Sequence, residues 1–356
     1  MSTTTPPALR ELQARIDIAL ERELAGPLDR LAASSPVMEA PAAALRDFLH
    51  DGKRLRPVLL LLGFQAGGGT ALDSVEGPAL ALELLHTFAL LHDDVIDRAP
   101  TRRGRPTVHT RFAQRHQDAG WTGDAHAYGE AMAILLGDVA FVYADELFLR
   151  ATVPNGPLLT AFRRFTELRE EVMIGQTLDL HAAASRETSR DLALTVATLK
   201  SGRYSVTRPL EVGASLAGGS EELIAGLRAY GDPVGLAFQL RDDHLGVFGE
   251  PAETGKSRTS DLAEGKRTLL IAETYERTDD EGRALLDRCL GDPGLSEDDA
   301  AAVRRTIETC GAMEAVETRL AEGIQRALAA LRELALPDHT HETLAGIASW
   351  VGQRRS

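Results

Sequence analysis

The run LALELLHTFALLHDDVID, residues 80–97, decides the fold. Its apolar positions Leu80, Leu84, Leu85, Phe88 and Leu91 recur at three- and four-residue steps, the pattern of a buried helical face. The run then ends in three carboxylates, Asp93, Asp94 and Asp97. At 100° per residue Asp93 and Asp97 lie one turn apart on one face, with Asp94 beside them. Like charges at that spacing repel, so the helix end asks for a cation. Oxygen-only ligands favour a hard ion, and Mg²⁺ binds through one or two carboxylates completed by phosphate oxygens and water. A solvated acidic helix end is the plainer reading, but a solvated face would not continue a core helix.

The same periodicity extends outward through 158–180, 192–216, 223–245 and 303–336, and strand-like alternation is scarce. Breaks fall at Gly67-Gly68-Gly69, Asp118–Gly129, Pro154–Pro157, Gly218-Gly219, Glu250–Ser260 and Gly291–Gly294. They punctuate on the order of ten helices. Although 356 residues would suit two average domains, no composition shift, linker or internal repeat divides the chain. The expectation is one all-α domain over 1–356, with about the first ten residues disordered.

Composition excludes more than it identifies. Lys+Arg number 39 against 53 Asp+Glu, a net charge of −14, which argues against a general nucleic-acid binder. A small anionic substrate stays possible, because a basic pocket can sit in an acidic protein. Two cysteines, Cys289 and Cys310, are too few for a disulfide framework and point to the cytoplasm. Residues 1–10 lack a signal-peptide pattern, and no apolar run reaches the roughly 18 residues of a membrane span.

Basic residues accompany the acids. Arg102-Arg103-Gly104-Arg105-Pro106 follows the first cluster by five residues and can grip an anion, since guanidinium forks match phosphate oxygens. A second acidic pair, Asp242-Asp243, ends another apolar helix and is followed by Gly255-Lys256-Ser257 and by Asp261 through Thr268, which contains Lys266. GKRLRP at 52–57 enters an apolar helix, and Lys200 with Arg203 sits in the run from Leu192. Each alone reads as solvated charge. Together they describe two acidic helix ends facing one cavity with cations beside them.

On these residues the chain resembles the trans-polyprenyl diphosphate synthases of the farnesyl/geranylgeranyl diphosphate synthase type. GKRLRP (52–57), HTFALLHDDVID (86–97), RRGRPT (102–107), GQTLDL (175–180), KSGRYS (200–205), FQLRDD (238–243) and GKSRTSDLAEGKRT (255–268) stand in that family's order. The resemblance implies a helical bundle around a deep central cavity, a homodimer, and Mg²⁺-assisted joining of isopentenyl diphosphate to an allylic diphosphate. By the same resemblance Asp93, Asp97 and Asp242 would bind metal, with Asp94 and Asp243 in support, and three Mg²⁺ ions would serve one site. Arg102, Lys200, Gln239, Lys256 and Lys266 would hold the allylic diphosphate, and Lys53, Arg56, His86 and Arg103 the isopentenyl diphosphate. Asp93, Asp94, Asp97, Arg102, Lys200, Asp242 and Lys256 would carry the ionisation step. Released diphosphate would take the proton, so no protein base is required.

Two departures stand out. Gly246 replaces the third carboxylate of the second acidic motif, and Ser257 and Thr259 replace the proline and glycine of the loop bearing Lys256. Product length should follow cavity depth. Phe88 lies five residues before Asp93, about 7.5 Å below it, and next to it stands the small Ala89. One aromatic at this position resembles enzymes that make geranylgeranyl diphosphate (C20), with C15 and C25 products as neighbours. A class I terpene cyclase shares the fold but needs no isopentenyl diphosphate site, so Lys53, Arg56 and Arg103 speak against it. Retention of both acidic clusters speaks against a silent partner subunit. An oxygen-handling di-metal bundle would want paired Glu-x-x-His motifs, and Glu83–His86 has no partner.

Overall fold

The computed structural model describes residues 7–50, 52–249 and 259–353. The described chain is helical almost throughout. The N-terminal half comprises α1 (Pro7–Ala33), α2 (Glu39–His50), α3 (Leu55–Ala66), α4 (Glu76–Ile96), α5 (Val108–Asp118), α6 (Ala125–Phe148) and α7 (Asn155–Ser185). There follow α8 (Arg190–Val196), a π-helical stretch over Ala197–Thr207, α9 (Arg208–Leu216), α10 (Glu221–Phe248), and the short α11 (Ser260–Ala263). The C-terminal part is α12 (Leu269–Arg277), α13 (Asp280–Cys289), α14 (Glu297–Thr309), α15 (Ala312–Arg332) and α16 (Asp338–Gln353). A two-stranded hairpin, β1 (Thr101–Arg102) with β2 (Arg105–Pro106), joins α4 to α5.

Helix starts are set by side-chain caps. Asp124 accepts from the His126 and Ala127 amides, Ser189 from Leu192, Ser220 from Leu223 and Ser296 from Asp299. α3 and α4 form the centre: Val58 through Leu62 are all fully buried, as are Leu80, Ala81, Leu82, Leu84 and Leu85. A helix apolar on every side can only be stable with neighbours on every side. One continuous apolar core takes side chains from every helix named above.

Three expectations need correction. Residues 7–10 belong to α1, whose Leu9, Leu12, Ile16, Leu20, Leu24 and Leu28 face the core, so the start is not disordered there; residues 1–6 lie outside the described residues. The run 303–336 is two helices, because Gly311 at φ 79° ends one and opens the next. The break expected over 118–129 is shorter, since α6 already starts at Ala125, and it is an aromatic corner. His116 is buried there with its Nε2 3.1 Å from the Thr122 carbonyl oxygen. The Trp121 and Tyr128 rings pack around it at 5.8 and 5.3 Å. Among the described residues no helix is long and apolar enough to cross a membrane.

Candidate active site

The last turn of α4 presents the first acidic cluster. The Asp97 amide donates to the Asp93 carbonyl at 2.8 Å, so the two side chains are stacked one turn apart as the spacing predicts. Asp93 lines a cavity of about 520 Å³. Asp94 is buried beside it and accepts from Arg102 Nε at 2.7 Å, while Arg102 Nη2 lies 3.4 Å from Asp93. The hairpin explains how Arg102 arrives there. Arg103 and Gly104 both take positive φ, 52° and 72°, the turn that matches the twist of a two-residue hairpin. Arg102 is thereby directed to the carboxylates and Arg103 is exposed at the tip, outside the cavity wall. Burial, with the Asp93 charge added, pushes the Asp97 carboxyl up to about 6, and Lys266 and Lys200 only partly offset it.

The second cluster comes from α10. Gln239, Asp242 and Asp243 all line the same cavity, and Gln239 Nε2 donates to Asp243 at 2.6 Å. Burial pushes the Asp243 carboxyl up to about 8 against that hydrogen bond, with Asp261 and Asp242 adding to the rise. Lys266 Nζ sits 3.0 Å from Asp261 and 2.6 Å from Glu264. Although burial disfavours its charge, these acids hold it well above the usual lysine range.

A third wall was not singled out by sequence reasoning as site-forming. α7 contributes Gln176, whose Nε2 lies 3.5 Å from Asp93, and Asp179, whose carboxylate accepts from Lys200 Nζ at 2.5 Å. Burial works against the Lys200 charge, but Asp179 and Asp93 keep its pKa raised. Gly175 permits the approach: a Cβ there would lie 2.3 Å from the Lys200 amide nitrogen. The π-helical stretch matters too, since its wider turns bring Ala197, Lys200, Ser201 and Tyr204 onto the cavity side together. The signal was present in GQTLDL, quoted above as a motif without individual roles.

At the cavity mouth Arg56 donates to Ser205 Oγ at 2.8 Å and lies over the Tyr204 ring at 4.3 Å. Tyr204 Oη is 3.4 Å from His86 Nδ1. Burial, reinforced by Arg56, Arg102 and Arg103, depresses the His86 pKa well below the usual range, which favours the neutral imidazole. Lys53 is exposed and outside the cavity wall; its carbonyl accepts from Gln13 Nε2 of α1 at 2.6 Å. The basic run around it hides a structural member. Arg54, at φ 50°, is buried and donates to Asp17, to Glu83 and to the Leu49 and His50 carbonyls. Lys256 lies outside the described residues.

The deep end is apolar. Phe88, Ala89 and Val172 line it. The Phe88 ring is held 4.5 Å from the His92 ring and 4.9 Å from that of Phe141 on α6. Behind Phe141 is a second, more open cavity of about 650 Å³, which shares Met173 and Thr177 with the first. Among the described residues no three acidic or imidazole ligands stand close enough to enclose an ion by themselves. The donor set nevertheless suits a hard cation that brings further oxygens with it: carboxylates only, two of them with pKa values raised by burial and, to a smaller extent, by their acidic neighbours.

The geometry has counterparts among known proteins. The family model described as polyprenyl synthetase matches residues 39–307. A (2E,6E)-farnesyl diphosphate synthase from Mycobacterium tuberculosis is 32% identical over 86% of this chain and 80% of its own. A geranylgeranyl diphosphate synthase from Methanosarcina mazei is 34% identical over 75% of each. Among solved structures, geranylgeranyl pyrophosphate synthase from Corynebacterium glutamicum, complexed with isoprenyl diphosphate and magnesium, superposes with a TM-score of 0.93. It is 35% identical and covers 98% of this chain and 99% of its own.

Proposed function

The chain belongs to the polyprenyl synthetase family, and from that premise we propose that this short-chain trans-prenyltransferase joins isopentenyl diphosphate to allylic diphosphates, with geranylgeranyl diphosphate as its main product. One observation carries the reading. Two acidic helix ends, Asp93 on α4 and Asp242 on α10, line one cavity together with Arg102, Lys200 and Lys266, above an apolar floor.

The difficult step is departure of diphosphate from the allylic carbon, because charge must separate. Asp93, Asp97 and Asp242 would hold Mg²⁺, three ions in our reading, with Asp94 and Asp243 in support. The metal, when bound, neutralises the leaving diphosphate. Arg102, Lys200 and Lys266 add fixed positive charge in a partly dry site, where such charge acts strongly. Gln239 orients Asp243 by its hydrogen bond. Arg56, braced by Ser205 and Tyr204, is assigned to isopentenyl diphosphate, with neutral His86 as a hydrogen-bonding neighbour. Lys53, Arg103 and Lys256 are assigned to diphosphate binding by family resemblance alone. Phe88, Ala89 and Val172 would exclude water from the allylic cation.

Phe88 supports the C20 assignment, since it lines the apolar part of the cavity about 7.5 Å below Asp93 along α4. A homodimer is supported by exposed apolar side chains on α6 and α7, among them Leu135, Val142, Ile174 and Leu180. We assign the whole chain to one synthase domain working in the cytoplasm. Purified protein incubated with Mg²⁺, labelled isopentenyl diphosphate and each allylic primer should yield linear C20 diphosphate. No incorporation would support a silent subunit, and cyclic hydrocarbon from geranylgeranyl diphosphate alone would support a cyclase.

A further inference from the structure

We propose that His92 is a positioning residue for product length: seated in a notch that Gly137 opens in α6, its imidazole fixes the Phe88 ring on the wall of the cavity. This rests on the synthase reading given above and on its assignment of Phe88 to chain length. Gly137 is buried in the interior of α6, where glycine is disfavoured relative to alanine, so its presence calls for a reason. The structure gives one: a Cβ at position 137 would lie 2.4 Å from both Cδ2 and Nε2 of His92. No side chain at 137 can coexist with the ring where it stands. The notch also bares the backbone. A helix carbonyl is flanked by the side chains three and four residues further on, here Gly137 and Asp138. Through that gap His92 Nε2 donates to the Ile134 carbonyl at 3.1 Å. Since a carbonyl only accepts, this nitrogen carries the hydrogen.

The anchored ring bears on Phe88. The two residues are one turn apart on α4, and helix side chains lean toward the N-terminus, so His92 comes down over Phe88. Their ring centroids are 4.5 Å apart. The packing is in register across the two helices. Phe88 meets Phe141 at 4.9 Å, and one turn further along α4 His92 meets Gly137, one turn back along α6. Of the two rings that box Phe88, Phe141 lines the second cavity, whereas His92 lines the first together with Phe88 itself. A phenylalanine on a helix has two accessible χ1 wells, and the neighbour on the cavity side decides which of them the growing tail meets. His92 is that neighbour, and its own position is set from α6.

The test uses the full chain with Mg²⁺, labelled isopentenyl diphosphate and an allylic primer, and reads the ratio of C25 to C20 in the dephosphorylated products. That ratio does not change with the amount of folded enzyme, so a merely structural role would not move it. His92→Ala should raise it about tenfold, the size expected from losing one hydrogen bond and one ring contact. Gly137→Ala leaves every acid and the imidazole in the chain but expels the ring from its notch, and should raise the ratio likewise. G137A/H92A should match H92A, because the added methyl acts only on the imidazole. In an F88A background H92A should add nothing, because His92 acts through Phe88. The proposal is overturned if H92A or G137A keeps the wild-type ratio, if their effects add, or if F88A/H92A makes longer products than F88A. A wild-type chain that made no prenyl diphosphate at all would overturn the synthase reading, and this assignment with it.

Discussion

Replacing Phe88 by alanine should lengthen the main product by one isoprene unit. The ring sits about 7.5 Å below Asp93, and the next side chains on that face of α4, Leu84 and Leu85, are one turn deeper, about 5.4 Å. A carbon–carbon bond of about 1.5 Å advances an extended chain by about 1.25 Å, so the four-bond repeat of a prenyl chain spans about 5 Å. The vacated turn therefore admits one more unit and stops the next. The ring cannot simply swing aside in the wild type, because His92 and Phe141 pack against it at 4.5 and 4.9 Å. With Mg²⁺, labelled isopentenyl diphosphate and an allylic primer, reversed-phase chromatography of the dephosphorylated products should show C20 giving way to C25. Phe141→Ala alone should change nothing, because Phe88 still closes the cavity. The double variant should run longer than F88A, since it opens into the second cavity of about 650 Å³. An unchanged product from F88A at normal incorporation would refute the floor. A longer product from F141A alone would refute the order of the two layers.

Two further outcomes follow from the charges. Asp97 and Asp243 keep protons in the folded, metal-free protein up to about pH 6 and about pH 8, whereas unfolded aspartate loses them near 3.8. The folded state binds more protons across that window, so stability is full below the unfolded value and falls as pH rises through the folded ones. Melting temperatures of metal-free protein should decline across this range, and Asp243→Asn or added Mg²⁺ with diphosphate should flatten the decline; a rise with pH would contradict the burial argument. Elsewhere, Arg208 bridges α7 and α9 by pairing with Glu171 at 2.6 Å and with the fully buried Glu211 at 2.7 Å. Arg208→Met should cost about 3–5 kcal/mol in urea unfolding by stranding buried carboxylates, and E211L in the same chain should recover part of it.

Much of the fold and half of the site could be read from residues alone, and the dividing line is physical. Periodicity reports a buried face, so α4, α7 and α10 were legible. The acids on α4 and α10 and their neighbours Arg102, Lys200 and Lys266 were legible because like charges at an apolar helix end demand a counterion. What was hidden depends on distance in space. Nothing in GKRLRP distinguishes Arg56, which meets the cavity, from Arg54, which is buried among Asp17 and Glu83. Gln176 and Asp179 became site residues only because Gly175 lets the π-helical stretch approach α7. Gly246 read only as a missing acid, since the crowding of its helix face by the Asp261 side chain is a contact across space. The hairpin escaped notice because two-residue strands leave no alternation to detect.

The contacts of α1 bear on how the protein can be cut. Its Gln13 holds the Lys53 carbonyl and its Asp17 holds Arg54, so the loop at the cavity mouth is anchored from a helix that ends at Ala33. The match to the family model begins only at residue 39. A clone trimmed to that region would keep both acidic clusters yet lose the brace on the segment that carries Arg56. The smallest useful fragment therefore starts upstream of the recognisable one, and fusions that must leave the mouth undisturbed belong at the other end of the chain.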